Sequence, residues 1–361
     1  MVTERSERGS ETYELLSVTM NDGVKRRSEL EGKDNSSEDK GNYKVVCTGD
    51  MVYNSMRMWQ GANGISPYNG IVSPAYTVLT AKCDISNGFF AALFKTHKLI
   101  SEFCNHSQGM TSDTWNLKYS QIESIKTYIP SVAEQQKIAA LIEKIDKRLA
   151  TQKELIDSLK KYKRGLNIWL LADIPKNCNT TLGSVCSIVG GGTPDTTENR
   201  YWNGDIYWFT PSEVGKTKYV SSSERCISSH GLSKSSAKLL PINAILLTTR
   251  ATLGEMSILQ KEATTNQGFQ SLIASNNIIP EYIYYLQVVI KPWCEKYSSG
   301  NTFREISKTS LSKCIIPVPE ISVQNKIVST LSKIDEHILT EDIMLKNLLL
   351  LKKSLLQQLF I

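Results

Sequence analysis

The residues best able to do chemistry are thinly spread through this 361-residue chain. His97, His106, His230 and His337 stand far apart. Eight cysteines, at 47, 83, 104, 178, 186, 226, 294 and 314, form no C-x-x-C and no zinc-like spacing with a histidine, so reduced, buried thiols are expected. No P-loop, no dinucleotide fingerprint, no H-E-x-x-H and no G-x-S-x-G occurs. Gly190, Gly191 and Gly192 suggest a phosphate loop, but no lysine follows and Pro194 bars a helix from starting in the right place. An amino-methyltransferase would carry an Asn/Asp-Pro-Pro-aromatic motif, and none is present. The chemistry that remains is recognition. Arg57, Trp59 and Gln60 share the run Asn54–Gln60 beside a glycine turn. Arginine forks onto guanine and glutamine onto adenine in a major groove. The other reading has Arg57 paired with an acid and Trp59 packed in a core. Thr193, Trp202, Trp208, Ser212 and Arg250 are the matching candidates further on, although tryptophans of such apolar area also suit a core. Lys25, Arg26 and Arg27 make a small basic cluster, for phosphates or for solvent.

Composition narrows the classes. Lys+Arg number 42 against 36 Asp+Glu, a net charge of +6, with 40% hydrophobic and 22% charged residues. Such a chain is a soluble globular protein rather than a disordered, collagen-like or polytopic membrane one. No run of about eighteen apolar residues occurs, and none opens the chain, so a cytoplasmic protein is expected. The segment 131–171 holds nine basic and five acidic residues and no stretch is polybasic. Any DNA contact therefore uses few phosphates per domain or is helped by partner subunits.

The elements that must position these residues are repeated. IPSVAEQQKIAALIEKID (129–146) lies over VPEISVQNKIVSTLSKID (318–335) at an offset of 189, and the offset holds to residue 359 with twelve identities in 42 positions. Steps of four and three visit Ile138, Ile142, Ile145, Leu149, Gln152 and Ile156 in the first copy, and Ile327, Leu331, Ile334, Ile338, Glu341 and Leu345 in the second. This is a coiled-coil seam in which both copies break at the same places. Each helix follows a proline, Pro130 or Pro319, and the first must stop before Pro175. Gln152, facing a Lys or Glu of a partner helix, would pin the register. An antiparallel pair about 60 Å long is the natural arrangement.

A weaker repeat, at an offset of 193, precedes each helix and matches Arg57 with Arg250 and Gly61 with Gly254. Each half reads as strand, glycine turn, strand, then one amphipathic helix. The fold class is α+β: two strand-rich domains joined by two long helices in an antiparallel coiled coil, a pseudo-two-fold duplicated chain. The expected parts are 1–129, the helix 130–172, 173–318 and the helix 319–361. Residues 21–42 read as a polar loop with no apolar face, and Tyr13–Met20 as the strand that opens the first domain.

The order of parts resembles the specificity subunit of Type I restriction–modification systems. The resemblance rests on Glu134-Gln135-Gln136-Lys137-Ile138 with Ile145-Asp146, and on Gln324-Asn325-Lys326-Ile327 with Ile334-Asp335. It rests also on Leu182-Gly183-Ser184-Val185-Cys186 leading to Gly191-Gly192-Thr193-Pro194, and on Tyr201–Trp208. It covers nearly the whole chain. It departs from the pattern in the first domain, which lacks the Leu-Gly opening and the G-G-T-P turn, and at Val323 and Asn325. The resemblance implies two target recognition domains, each reading half of a bipartite double-stranded DNA site, on helices that hold two methyltransferase subunits and admit restriction subunits. It implies no catalysis in this chain. S-adenosylmethionine, ATP and Mg would belong to the partners. A coiled-coil adaptor that binds only proteins fits the helical evidence equally well, and a fused methyltransferase or nuclease is the remaining alternative.

Overall fold

A computed structural model describes residues 2–9, 13–20, 22–32, 36–81, 85–111, 115–250, 252–300 and 304–360. The chain forms two compact units, 1–155 with 341–361, and 156–340. Each holds one strand-rich domain and a part of both long helices.

The first unit is built on an antiparallel sheet in the order Val2–Glu4, Tyr76–Ala81, Met51–Asn54, Asn63–Ile65. Helices Asn87–Leu93, His97–His106 and Tyr119–Ser124 cover it, burying Met51, Leu79, Phe89 and Phe103 in one core. The second unit repeats the order with Cys186–Gly190, Gln270–Ala274, Ile245–Leu247 and Met256–Leu259, to which Tyr219–Val220 adds a parallel edge. Helices Pro280–Tyr285, Gln287–Tyr297 and Lys308–Ser312 cover this sheet. A further sheet, Arg225–Ile227, Trp202–Phe209, Ala263–Thr265, belongs to the second unit alone. The duplication thus extends to strand order. In both units the central strand ends in a turn closed by a left-handed glycine, Gly61 at φ 82° and Gly254 at φ 80°, a conformation that costs glycine no steric strain.

Three expectations are corrected. Among the described residues three helices cover each sheet, not one; the single amphipathic segment is divided at Phe94–Thr96 and at Leu286. Residues 21–42 are not a featureless loop. Gly23–Arg26 is a strand paired with Leu16–Thr19, and Val24 is buried against Leu16 and Val18. One inward valine between polar neighbours leaves too short an alternation to see in sequence. The strand that opens the first sheet is Val2–Glu4, while Leu16–Thr19 lies in that separate hairpin.

The long helices span Val132–Ala172 and Ile321–Leu359. They pair antiparallel in both units. In the first, Asp146 bonds Lys352, Arg148 Nη2 lies 3.7 Å from Met344 Sδ, and Gln152 Nε2 donates to the Glu341 carbonyl at 3.2 Å and to its carboxylate. In the second, Lys163 bonds Asp335. The ion pairs are reciprocal: Asp146 and Asp335 are equivalent repeat positions, as are Lys163 and Lys352, and each aspartate meets the lysine of the other copy. Ile145, Leu149 and Ile338 are buried. Ile138 and Ile142 join the first core, with Leu356, Leu359 and Phe360 packed against it. Ile327 and Leu331 join the second with Leu171, while Leu166, Leu170 and Ile334 pack at its margin.

The helices are jointed to the domains by the repeated glutamine. Gln135 is 1% exposed; its Oε1 accepts the Ser86 N–H at 3.1 Å and its Nε2 donates to the Pro130 carbonyl at 3.0 Å. Gln324 is 0% exposed; its Oε1 accepts the Ile279 N–H at 2.9 Å and its Nε2 donates to the Asn277 and Pro319 carbonyls at 3.0 and 2.8 Å. Each side chain ties the chain entering the first of the three covering helices to the start of the long helix. In the second unit Tyr285 strengthens the joint. Its hydroxyl donates to Asp335 at 2.6 Å and accepts from Lys218 at 2.9 Å. Burial pushes the Tyr285 phenol far above its usual range and pulls the Lys218 ammonium down.

Candidate nucleic-acid interface

In both units three loops gather at the end of the central strand. The first is the turn after that strand, 54–61, or 248–250 with 252–254. The second precedes the neighbouring strand, 73–76 or 266–269. The third follows the long covering helix, its described residues being 107–111 with 115–116, or 298–300 with 304–305. Backbone bonds hold them in the same way: Ser55 N–H to Ala75 O at 3.1 Å in the first unit, Thr249 N–H to Gly268 O at 2.8 Å in the second. Paired bridges Gln108–Asn116 and Ser299–Glu305 close the third loop. The sequence carries a signal for this loop: Ser107-x-Gly109-x-Thr111 lies over Ser298-x-Gly300-x-Thr302 at an offset of 191.

The lining differs between units. In the first, Arg57 is exposed and Gln60 half-buried on the 54–61 turn. Trp59 is half-buried; its Nε1 donates to Met56 O at 3.1 Å and its ring meets Trp115 edge-on at 5.2 Å, joining the first loop to the third. Lys25, Arg26 and Arg27 lie elsewhere, on the strand Gly23–Arg26 and the short turn after it. Arg26 pairs with Glu14 at 3.1 Å and covers the Tyr68 ring at 4.6 Å, and Arg27 Nη2 donates to Gly32 O.

In the second unit Thr193, Ser212 and Arg250 are drawn to one polar patch around the turn Asn266–Gly268. Thr193 Oγ1 bonds Gln267. Pro211, beside the exposed Ser212, touches the Gly268 position and accepts from Thr252 Oγ1 at 3.4 Å. Arg250 forms an ion pair with Glu305 at 2.8 Å, linking the first loop to the third. Gln267 and Thr252 belong to the patch without a signal in the sequence, because they lie more than 55 positions from Thr193 and carry no motif of their own.

Two candidates are corrected. Trp202 and Trp208 are 8% and 4% exposed and present no face to a ligand. Their Nε1 groups donate to Asp195 O at 3.0 Å and Gly192 O at 2.9 Å, and the rings meet edge-on at 5.1 Å. Buried tryptophans with a satisfied N–H are scaffold. The glycine run serves packing: a Cβ at Gly191 would stand 2.0 Å from Asn266 O, and one at Gly192 2.4 Å from the Ala237 nitrogen. Arg200 is also engaged, bonded through Nε and Nη2 to Glu198, and that bonding pulls the carboxylate down to about 2. Burial pushes the Cys186, Cys294 and Cys314 thiols up to about 12, which makes them inert. Cys83 lies outside the described residues.

Comparisons with known proteins agree on one family. The family described as "Type I restriction modification DNA specificity domain" matches residues 7–161 and 176–349. The MjaIX specificity subunit of Methanocaldococcus jannaschii is 34% identical over 173 residues, 46% of this chain and 40% of that protein. The EcoR124I/EcoR124II specificity subunit of Escherichia coli is 31% identical over 255 residues, 66% of this chain and 61% of that one. The matched segments thus span less than two thirds of either relative. Among solved structures, the Type I S subunit from M. genitalium aligns over 100% of this chain and 96% of its own at 16% identity, with a TM-score of 0.57. A chain from a study of complex assembly and conformational transition of the type I R-M system aligns over 100% and 97%, at 16% identity and a TM-score of 0.62. At that identity they establish the fold alone. No helix among the described residues is long and apolar enough to cross a membrane.

Proposed function

The chain belongs to the Type I restriction–modification DNA specificity family, and from that premise we propose that it is the sequence-reading subunit of such a complex. The observation that carries this is the repetition of one three-loop frame with two different linings. A duplicated frame suits two halves of one duplex site, and unlike linings suit unlike half-sites. The chain supplies recognition only. S-adenosylmethionine is the chemistry of two methyltransferase subunits held on the long helices, and ATP with Mg that of restriction subunits where they join. The complex works in the cytoplasm, where it meets the DNA.

The mild charge has a consequence. A net +6 over 361 residues provides few phosphate contacts, and non-specific affinity scales with such contacts. The lone chain is expected to bind its duplex at least about tenfold more weakly than the chain assembled with methyltransferase subunits, measured by gel shift at matched salt. Equal affinities would refute the shared-contact reading. The function itself is tested by selecting duplexes from a random library with the assembled complex. Enrichment of a two-part motif with an unread gap is expected, and a library left unenriched would refute it.

Arg57→Ala is expected to relax one half-site, by about 5- to 100-fold in discrimination at a single base pair, and to leave the other half unchanged. Uniform weakening on every sequence would mark Arg57 as a backbone contact.

A further inference from the structure

We infer that Arg225, rather than Arg250, is the base-reading arginine of the second domain, a guanine fork seated on two buried indoles. This deepens the DNA-reading function proposed above and rests on it.

Four arginines lie between residues 176 and 320, and three are engaged. Arg200 is bonded to Glu198, Arg250 to Glu305, and Arg304 Nη2 to Glu295 O. Arg225 is exposed, and among the described residues no carboxylate or carbonyl takes any of its side-chain N–H groups. Its Cζ lies 3.7 Å over the Trp202 ring and 5.3 Å from that of Trp208. The two rings stand at 89° to each other and form a rigid seat, because each is buried and each Nε1 is already bonded to a backbone carbonyl. Stacking uses the face of a guanidinium and leaves its edge donors open.

Placement supports the same role. Arg225 stands opposite Trp208 on the strand Arg225–Ile227, and Trp208 stands opposite Thr264 on the next. That row lies one residue short of Phe209 and Thr265, where the strands give way to the Asn266–Gly268 turn and its polar patch. Arg225 therefore flanks the patch that gathers Thr193, Ser212 and Gln267. A phosphate asks only for positive charge, which exposed lysines such as Lys216, Lys234 and Lys238 supply. A planar fork held still before binding loses little rotamer freedom and matches guanine O6 and N7.

The test uses the chain assembled with its methyltransferase subunits and a random duplex library. Wild type, Arg225→Met and Arg225→Lys are compared. Methionine keeps an apolar contact on Trp202, so its thermal midpoint should stay within a few degrees of wild type, which separates reading from folding. The wild-type motif should contain a guanine whose discrimination falls about tenfold or more in Arg225→Met, in the half-site that Arg57→Ala leaves intact. Arg225→Lys should behave like methionine there, since a point charge cannot fork. An unchanged motif in Arg225→Met overturns the inference while leaving the function standing. Uniform weakening that lysine restores also overturns it, marking a phosphate contact. A wild-type complex that enriches nothing overturns the function and this inference together.

Discussion

Replacing Gln324 by alanine is expected to destabilise the second unit by about 3 kcal/mol. The side chain is fully buried and makes three bonds, one accepted from Ile279 N–H and two donated to the Asn277 and Pro319 carbonyls. Alanine removes all three, so one N–H and two carbonyls lose their side-chain partner, and a single water in the vacated space restores only part of that bonding. Each buried group left unpaired costs about 1–3 kcal/mol. Part of this is recovered, because carbonyls tolerate under-satisfaction better than amides. In a unit of this size the midpoint should fall by roughly 6–12 °C. Gln135 makes two bonds, so Gln135→Ala should cost the first unit about 2 kcal/mol. Calorimetry reads both, and the two substitutions should act on different transitions if the units melt separately. A loss under about 0.5 kcal/mol for Gln324→Ala would show that the joint is held by the apolar seam alone.

The second large effect is on the target. Inserting four residues after Thr151 is expected to lengthen the unread gap of the DNA site while both half-sites keep their sequence. Four residues add about 6 Å of helix, at most about two base-pair steps. They also nearly complete a turn, so the apolar seam keeps its side. Methylation mapping in cells expressing the assembled complex reads the gap directly. The original site should lose methylation by a factor of a hundred or more, on the order of two wrong base pairs. A change in either half-site, with the gap unaltered, would sink the idea that the helices set the spacing. The insertion point lies between the ion pairs Asp146–Lys352 and Lys163–Asp335, so none of the four paired side chains is itself replaced.

The helices were the most legible part of the chain. A 3.5-residue apolar period declares itself over ten turns, and its polar breaks at Gln152 and Lys163 recur at Glu341 and Lys352 in the second copy. The Gln152 partner, Glu341, is the equivalent residue of the other copy, a pairing that the offset of 189 implies once the helices run antiparallel. Strand order was half legible: the glycine turns at Gly61 and Gly254 marked equivalent points, but the valine hairpin at Val24 and the divided helices fell below the resolution of a pattern.

The candidate site was less legible, for one physical reason. A seam residue finds its partner through a period, whereas a loop residue finds its partner through the fold. Arg250 looked available until Glu305, 55 positions on, closed over it. Trp202 and Trp208 looked like reading aromatics until their N–H groups were found bonded to Asp195 and Gly192. Arg225 had no signal at all, since its seat depends on a cross-strand register that shifts between Trp202 and Ile206. Gln135 and Gln324 were visible as identities but mute as to purpose, because the amides they cap lie 49 and 45 residues earlier.

The amino-acid order by itself determined that the chain is a duplication, that its long helices pair along an apolar seam, and which family it resembles. These follow from periodic burial, which is a local property of a sequence. Only the tertiary structure decided which cations are already neutralised, which aromatics are walls, and which arginine is left with open donors. Those are matters of distance between residues far apart in the chain, and hydrogen bonds and ion pairs act over a few ångströms of space regardless of separation along the backbone.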